Sequence, residues 1–263
     1  MNLHLQSKIA LVTASSKGLG KAAAMSLAKE GATVIICSRD KRQIEKTADE
    51  IRNLHHAEVF ALVADVSKPD NISRLFEQVR KQFGTLHILV NNAGGPPTGD
   101  ILTMTDEEWE KGYELTLMSM IRLTREALPL MIAQRWGRII TITSITGKQP
   151  VNDLLISSAL RPGIHGLSKV LANKHAKENI TVNTVCPGFI NTERQQELML
   201  QRSASKKISV EEYMANISVD IPAGRMGKLE EVGDVIAFLA SENASYINGV
   251  NLLVDGGLAK GIH

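Results

Sequence analysis

The chain has 263 residues, 43% of them hydrophobic and 22% charged, proportions of a globular protein and far from those of disordered or collagen-like chains. Thirty Lys and Arg against 28 Asp and Glu leave a net charge of +2, and only five Phe, three Tyr and two Trp occur. Neither phosphate-backbone electrostatics nor base stacking is supported, so nucleic acid is not expected as a partner.

In chain order, short β-branched runs alternate with longer stretches of helical period, the pattern of βαβ units and a parallel sheet. Strands are predicted at 8–13, 33–37, 58–63, 86–91, 137–143, 180–185 and 250–254. The first passes through Thr13 into Ser15-Ser16-Lys17-Gly18-Leu19-Gly20 and straight into a helical stretch. Glycines there let backbone approach a pyrophosphate, and a new helix offers free N–H groups and a positive dipole end; taken alone, the same pattern also fits an ordinary helix start. After the third strand, Ser67-Lys68-Pro69-Asp70 puts a hydroxyl cap, an early proline and an acid in one turn, opening a helix over 69–83. Thr105-Asp106-Glu107-Glu108 is a capping box that opens a helix over 106–133, and Ser209-Val210-Glu211-Glu212 is another inside 188–228, the longest insertion.

No repeat, low-complexity tract or linker interrupts the chain, so residues 1–263 are read as one doubly wound α/β domain. The two cysteines, Cys37 and Cys186, cannot build a disulfide framework, and no apolar run approaches the ~20 residues that span a bilayer. A soluble cytoplasmic protein without a membrane partner is expected. The histidines show no paired ligand spacing, so no metal site is predicted.

The glycine segment, with Asp65 after the third strand, Asn91-Asn92-Ala93-Gly94 after the fourth, Pro187-Gly188 and Thr192 after the sixth, Gly224-Arg225, and the closing Val254-Asp255-Gly256-Gly257, resembles the short-chain dehydrogenases/reductases over essentially the whole chain. The wording is most similar to the 3-oxoacyl-(acyl carrier protein) reductase branch. One departure is Ala14, which stands where the family's first glycine belongs. The resemblance implies a Rossmann-type fold, a seven-stranded parallel sheet in the order 3-2-1-4-5-6-7 flanked by helices, with a substrate lid at about 188–228. It also implies a dinucleotide at the carboxyl edge of the strands. Thr13, Ser15, Lys17, Gly18, Leu19 and Gly20 would serve the pyrophosphate side. Asp65 and Val66 would meet adenine, Asn91 and Gly94 would lie beside the ribose, and Ala93, Pro187, Gly188, Ile190 and Thr192 would also contact the cofactor. An acid at the end of the second strand would favour NAD, whereas this strand ends in Cys37-Ser38-Arg39, and Lys17 lies on the same side in the family, so NADP is favoured over NAD despite Asp40.

The family's catalytic set is Asn, Ser, Tyr and Lys. Ser144 fits the Ser position, although in isolation it reads as a turn hydroxyl. No Tyr-x-x-x-Lys occurs anywhere in the chain. Anchoring on Gly163-Ile164-His165-Gly166-Leu167-Ser168-Lys169 places Ser157 at the Tyr position and Arg161 at the Lys position, and Thr116 stands at the Asn position. Arg161 keeps a permanent charge and a fork of donors able to hold ribose hydroxyls; Ser157 is a far weaker acid than a phenol. Asp153 is the nearby alternative for proton exchange, read equally as a helix N-cap, and His165 is read as structural or interfacial. Val151 and Leu154 to Ile156 line an apolar cleft or anchor a helix start. Arg194, Arg202, Lys206 and Lys207 either meet an acidic carrier or form a solvated face. Two functions follow: hydride transfer between NADP and a small-molecule carbonyl or alcohol at an atypical site, or non-catalytic NADP binding as a sensor or supporting subunit. A homo-oligomer, tetramer or dimer, is implied by the family.

Overall fold

The computed structural model describes residues 2–152 and 154–261; Asp153, proposed above as a proton donor, lies outside them. Seven parallel strands form one sheet: β1 (Ile9–Val12), β2 (Thr33–Ser38), β3 (Val59–Val63), β4 (Ile88–Asn91), β5 (Gly137–Ile142), β6 (Ile180–Pro187) and β7 (Asn251–Val254). Their order is β3-β2-β1-β4-β5-β6-β7, the one expected. The order reverses between β1 and β4, which pair Val12 with Val90, and such a switch point leaves a crevice at the carboxyl ends of the strands.

Alternating residues send their side chains to opposite faces, and each face has its own helices. Ala10, Val12, Val34 and Ile36 pack with α1 (Gly18–Lys29), α2 (Lys41–His55) and α9 (Leu229–Leu239). Leu11, Ile35 and Leu89 face α3 (Pro69–Phe83), α5 (Ser119–Ala133) and α6 (Leu155–His175). The remaining helices, α4 (Asp106–Tyr113), α7 (Glu193–Lys206) and α8 (Val210–Asp220), lie outside these two layers. α7 and α8 meet over a small apolar cluster of their own, with Met199, Tyr213, Ile217 and Ile221 buried. No helix among the described residues is long and apolar enough to cross a membrane.

Two helices depart from the sequence reading. The predicted 106–133 helix does open on the full Thr105/Glu108 capping box, but Glu114–Met118 winds as a π-helix and divides it into α4 and α5. Periodicity cannot register this one-residue change of winding, which places Thr116 in the bulge. The N-cap of α3 is Lys68, with no side-chain cap; the Ser67 hydroxyl instead donates to Asp65 Oδ1 at 2.7 Å. The Asp65 carboxylate outcompetes the helix end because it also takes the Ser67 N–H, at 3.0 Å, in a tight local turn.

Candidate active site

The glycine segment is a loop tied to β4. Thr13 Oγ1 donates to the Asn92 carbonyl at 2.7 Å, and the Asn92 amide donates to the Thr13 and Ala14 carbonyls at 3.1 and 3.0 Å. Ser15 Oγ is spent on the Val12 carbonyl and accepts from Cys37 N–H. Thr13 and Ser15 are thus fully buried and shape the loop from behind. Ala14 adopts φ +46°, the left-handed region where glycine is at ease, so the loop holds this residue at some strain. Beyond it, α1 starts with no side-chain cap and no acid in its first turn, leaving N–H groups and a positive dipole end for an anion.

A cleft of about 1700 Å³ runs along this edge. Lys17, Gly18, Leu19 and Arg39 line it, together with Asp65, Val66, Ala93 and Gly94, and with Thr143, Arg161 and Thr192. Asp40 lines the cleft beside Arg39 and accepts from Gln43 N–H at 3.0 Å as the N-cap of α2. Gly20, Asn91, Pro187, Gly188 and Ile190 support the cleft without lining it. Gly20 lies against the Ala14 carbonyl, Gly188 N–H donates to Val254, and Ile190 bridges to Gly227 at the base of α7. Thr192 N-caps α7 through Gln195 N–H, and its neighbour Glu193 reaches Lys17 at 3.3 Å across the cleft mouth. Sequence reasoning gave no sign of this pair, since its partners come from segments far apart in the chain.

The four residues expected from the sequence to be catalytic, Thr116, Ser144, Ser157 and Arg161, converge but do not all face the cleft. Ser144 is partly buried and its Oγ accepts from Thr146 N–H at 3.2 Å, capping the short turn Ile145–Gly147. Ser157, in the first turn of α6, is only 4% exposed; its Oγ lies 2.8 Å from Thr146 Oγ1 and takes the Arg161 Nε–H, also at 2.8 Å. Neither serine lines the large cleft, whereas Arg161 does. Thr146 was missed from the sequence; its place two residues after Ser144 was the available signal. Thr116 and Asn91 line a second, much smaller cavity together with Arg161, and there Thr116 Oγ1 and Asn91 Oδ1 are buried without a hydrogen-bond partner.

His165 sits one helical turn beyond Arg161, buried beneath the site, with Nε2 3.1 Å from Thr143 Oγ1 and 3.5 Å from Cys186 Sγ. A Cβ on Gly147 would meet its ring at 2.3 Å, so the Ser144 turn rests directly on the imidazole. Burial, then the charges of Lys148 and Arg161, pull its pKa down to about 4 against a bond to the Gly147 backbone. The unfolded chain, near pKa 6.5, therefore binds more protons between these limits, and stability must fall as pH drops from about 6.5 to about 4. Thermal unfolding against pH checks this: the slope in that window is expected to be shallower in His165→Gln, with His87, also lowered by burial and Lys8, and His55, lowered by burial and Lys29, still contributing. An unchanged slope would refute it.

The chain matches the family model described as enoyl-(acyl carrier protein) reductase over residues 13–259. It belongs to the short-chain dehydrogenase/reductase family. Among its relatives, the 3-oxoacyl-[acyl-carrier-protein] reductase FabG of Escherichia coli is 38% identical over 256 residues, 97% of this chain and 99% of the relative. L-sorbose reductase from Gluconobacter frateurii, complexed with NADPH and L-sorbose, superposes with a TM-score of 0.95 at 32% identity, covering 100% of both chains. A variant of actinorhodin polyketide ketoreductase with NADPH gives 0.93 at 33% identity over 97% of this chain and 98% of that one.

Proposed function

We propose that this chain is an NADP(H)-dependent oxidoreductase that moves hydride between the nicotinamide and a small carbonyl or alcohol substrate. The observation that carries it is one cleft lined by Lys17 and Arg39, beside an uncapped helix start, and also by Arg161. That donor set fits a 2′-phosphorylated dinucleotide: two cations for the phosphate, free N–H groups of α1 for the pyrophosphate, and a guanidinium for the nicotinamide ribose. When bound, the cofactor supplies the hydride. Asp65 and Val66 flank adenine, and Ala93 and Gly94 the adjoining ribose. The α7–α8 hairpin serves as a lid, and NADPH in the solved relatives supports the cofactor.

The test is an NADPH fluorescence titration followed by transfer of deuteride from 4-deuterated NADPH to a panel of ketones and 3-oxoacyl thioesters. Deuterium in the product establishes the activity. Binding without transfer to any substrate supports the non-catalytic reading, which the inward-turned Ser157 hydroxyl favours, and no binding at millimolar NADPH sinks both.

We also propose a homo-oligomer, in a soluble cytoplasmic setting. Its support is apolar surface that a lone chain leaves in water: Tyr113 and Ile132 around α4 and α5, Val170 at 61% exposure on α6, and Tyr246 and Leu252 near β7. Light scattering is expected to give at least a dimer for the wild type and a smaller species for Val170→Asp; a wild-type monomer would overturn it.

A further inference from the structure

Arg161 has no counter-ion among the described residues. Its Nε donates to Ser157 Oγ at 2.8 Å and Nη1 reaches the Ile142 carbonyl at 3.5 Å, while no carboxylate pairs with it. A guanidinium carries five N–H donors, so several remain, and the side chain lines the cleft that holds the reaction in the function proposed above. The guanidinium is half-buried in the cleft wall, and this burial lowers its pKa to about 10. Such a charge is sustained where a ligand brings the missing negative charge.

We propose that Arg161 is the group that stabilises the substrate oxyanion, taking over the part that a phenol at position 157 would play, and that Ser157 is its positioning residue. The inference rests on the hydride-transfer reading. In the reductive direction hydride adds to the carbonyl carbon, the carbonyl π pair moves to oxygen, and the resulting oxyanion is held by the unspent N–H groups of Arg161. That oxygen then takes a proton from water in the open cleft, and the hydroxide left behind is neutralised by solvent buffer; NADPH leaves as NADP⁺. The Ser157 hydroxyl stays engaged, accepting from Arg161 and bonded to Thr146, which fixes the fork towards the cleft. A preorganised donor of this kind acts only as charge develops, so its loss falls on kcat, typically by roughly 10²- to 10³-fold. A guanidinium that merely gripped the ribose would show its loss in cofactor affinity instead.

The test uses the full chain with NADP(H) and compares the wild type with Arg161→Gln and Arg161→Ala. On the substrate found by deuteride transfer, kcat is expected to fall at least 100-fold in both variants while NADPH Kd rises less than about tenfold, and millimolar guanidinium chloride should restore part of kcat in Arg161→Ala. The reverse split, with kcat unchanged and Kd raised, overturns the proposal. A second measurement needs no turnover: acetate, as a stand-in for the oxyanion, should raise Tm of the wild-type NADP⁺ complex and leave Arg161→Gln unmoved. An equal response of the two, or none in the wild type, also overturns it. Failure of the wild type to bind NADPH, in contrast, removes the function on which the inference depends.

Discussion

Gly20→Ala is expected to weaken NADPH binding roughly 5- to 150-fold, the equivalent of ~1–3 kcal/mol of overpacking, while the chain still folds. A Cβ at this position would lie 2.5 Å from the Asn92 amide nitrogen, 2.7 Å from the Ala14 carbonyl oxygen and 2.9 Å from Ser15 Cα. Two of these are backbone atoms, which cannot rotate away. The Asn92 amide is itself the clasp that joins the glycine loop to β4 through the Thr13 and Ala14 carbonyls. Making room for one methyl must therefore displace the loop whose N–H groups face the cleft. Gly163 gives the control: a Cβ there meets nothing within 4 Å, so Gly163→Ala should bind NADPH as the wild type does. Fluorescence titration with circular dichroism as the folding check decides; wild-type affinity in a folded Gly20→Ala would mean that the loop does not carry the cofactor.

The same loop shows what was legible in the sequence. Hydrophobic runs located all seven strands because strands covered on both faces are apolar throughout, as in Val34 to Cys37, whereas their order came from the family resemblance. Helix starts with a local chemical signature were also readable, as at Thr105 and Ser209, whose hydroxyls both accept from the N–H three residues on. What failed were competitions among several local partners. Ser67 lost its capping role because Asp65 lies two residues away, and nothing in residues 106–133 announces that five of them wind as a π-helix. At the site, the residue types at 116, 144, 157 and 161 were readable, but the direction of the Ser157 hydroxyl was not. That depends on Thr146, brought opposite by the packing of α6 against the turn after β5.

This direction decides what restoring the family's motif would do. Combining Ser157→Tyr with Arg161→Lys is expected to lower turnover, by roughly 10²-fold, and to reduce Tm rather than recover a reductase site. Ser157 Oγ occupies a closed position between Thr146 Oγ1 and Arg161 Nε, 2.8 Å from each, with 4% of the residue exposed. A phenol ring does not fit into that space. Left in place it overpacks the start of α6, beside Ile156, which is fully buried and would meet a Cβ on Gly112 at 2.6 Å. Swung outward, it enters the cleft where Arg161 now projects. Lysine at 161 keeps a charge but lacks the planar fork that lets one nitrogen bond Ser157 while the others face the cleft. The single Ser157→Ala variant separates packing from chemistry: it introduces no ring, frees one guanidinium donor, and should cost less than the double change. NADPH oxidation and thermal unfolding measured on the three proteins give the answer. A folded double variant turning over at least tenfold faster than the wild type would show that the pocket still has the geometry for a phenolic acid, and that Arg161 is not the group on which turnover depends.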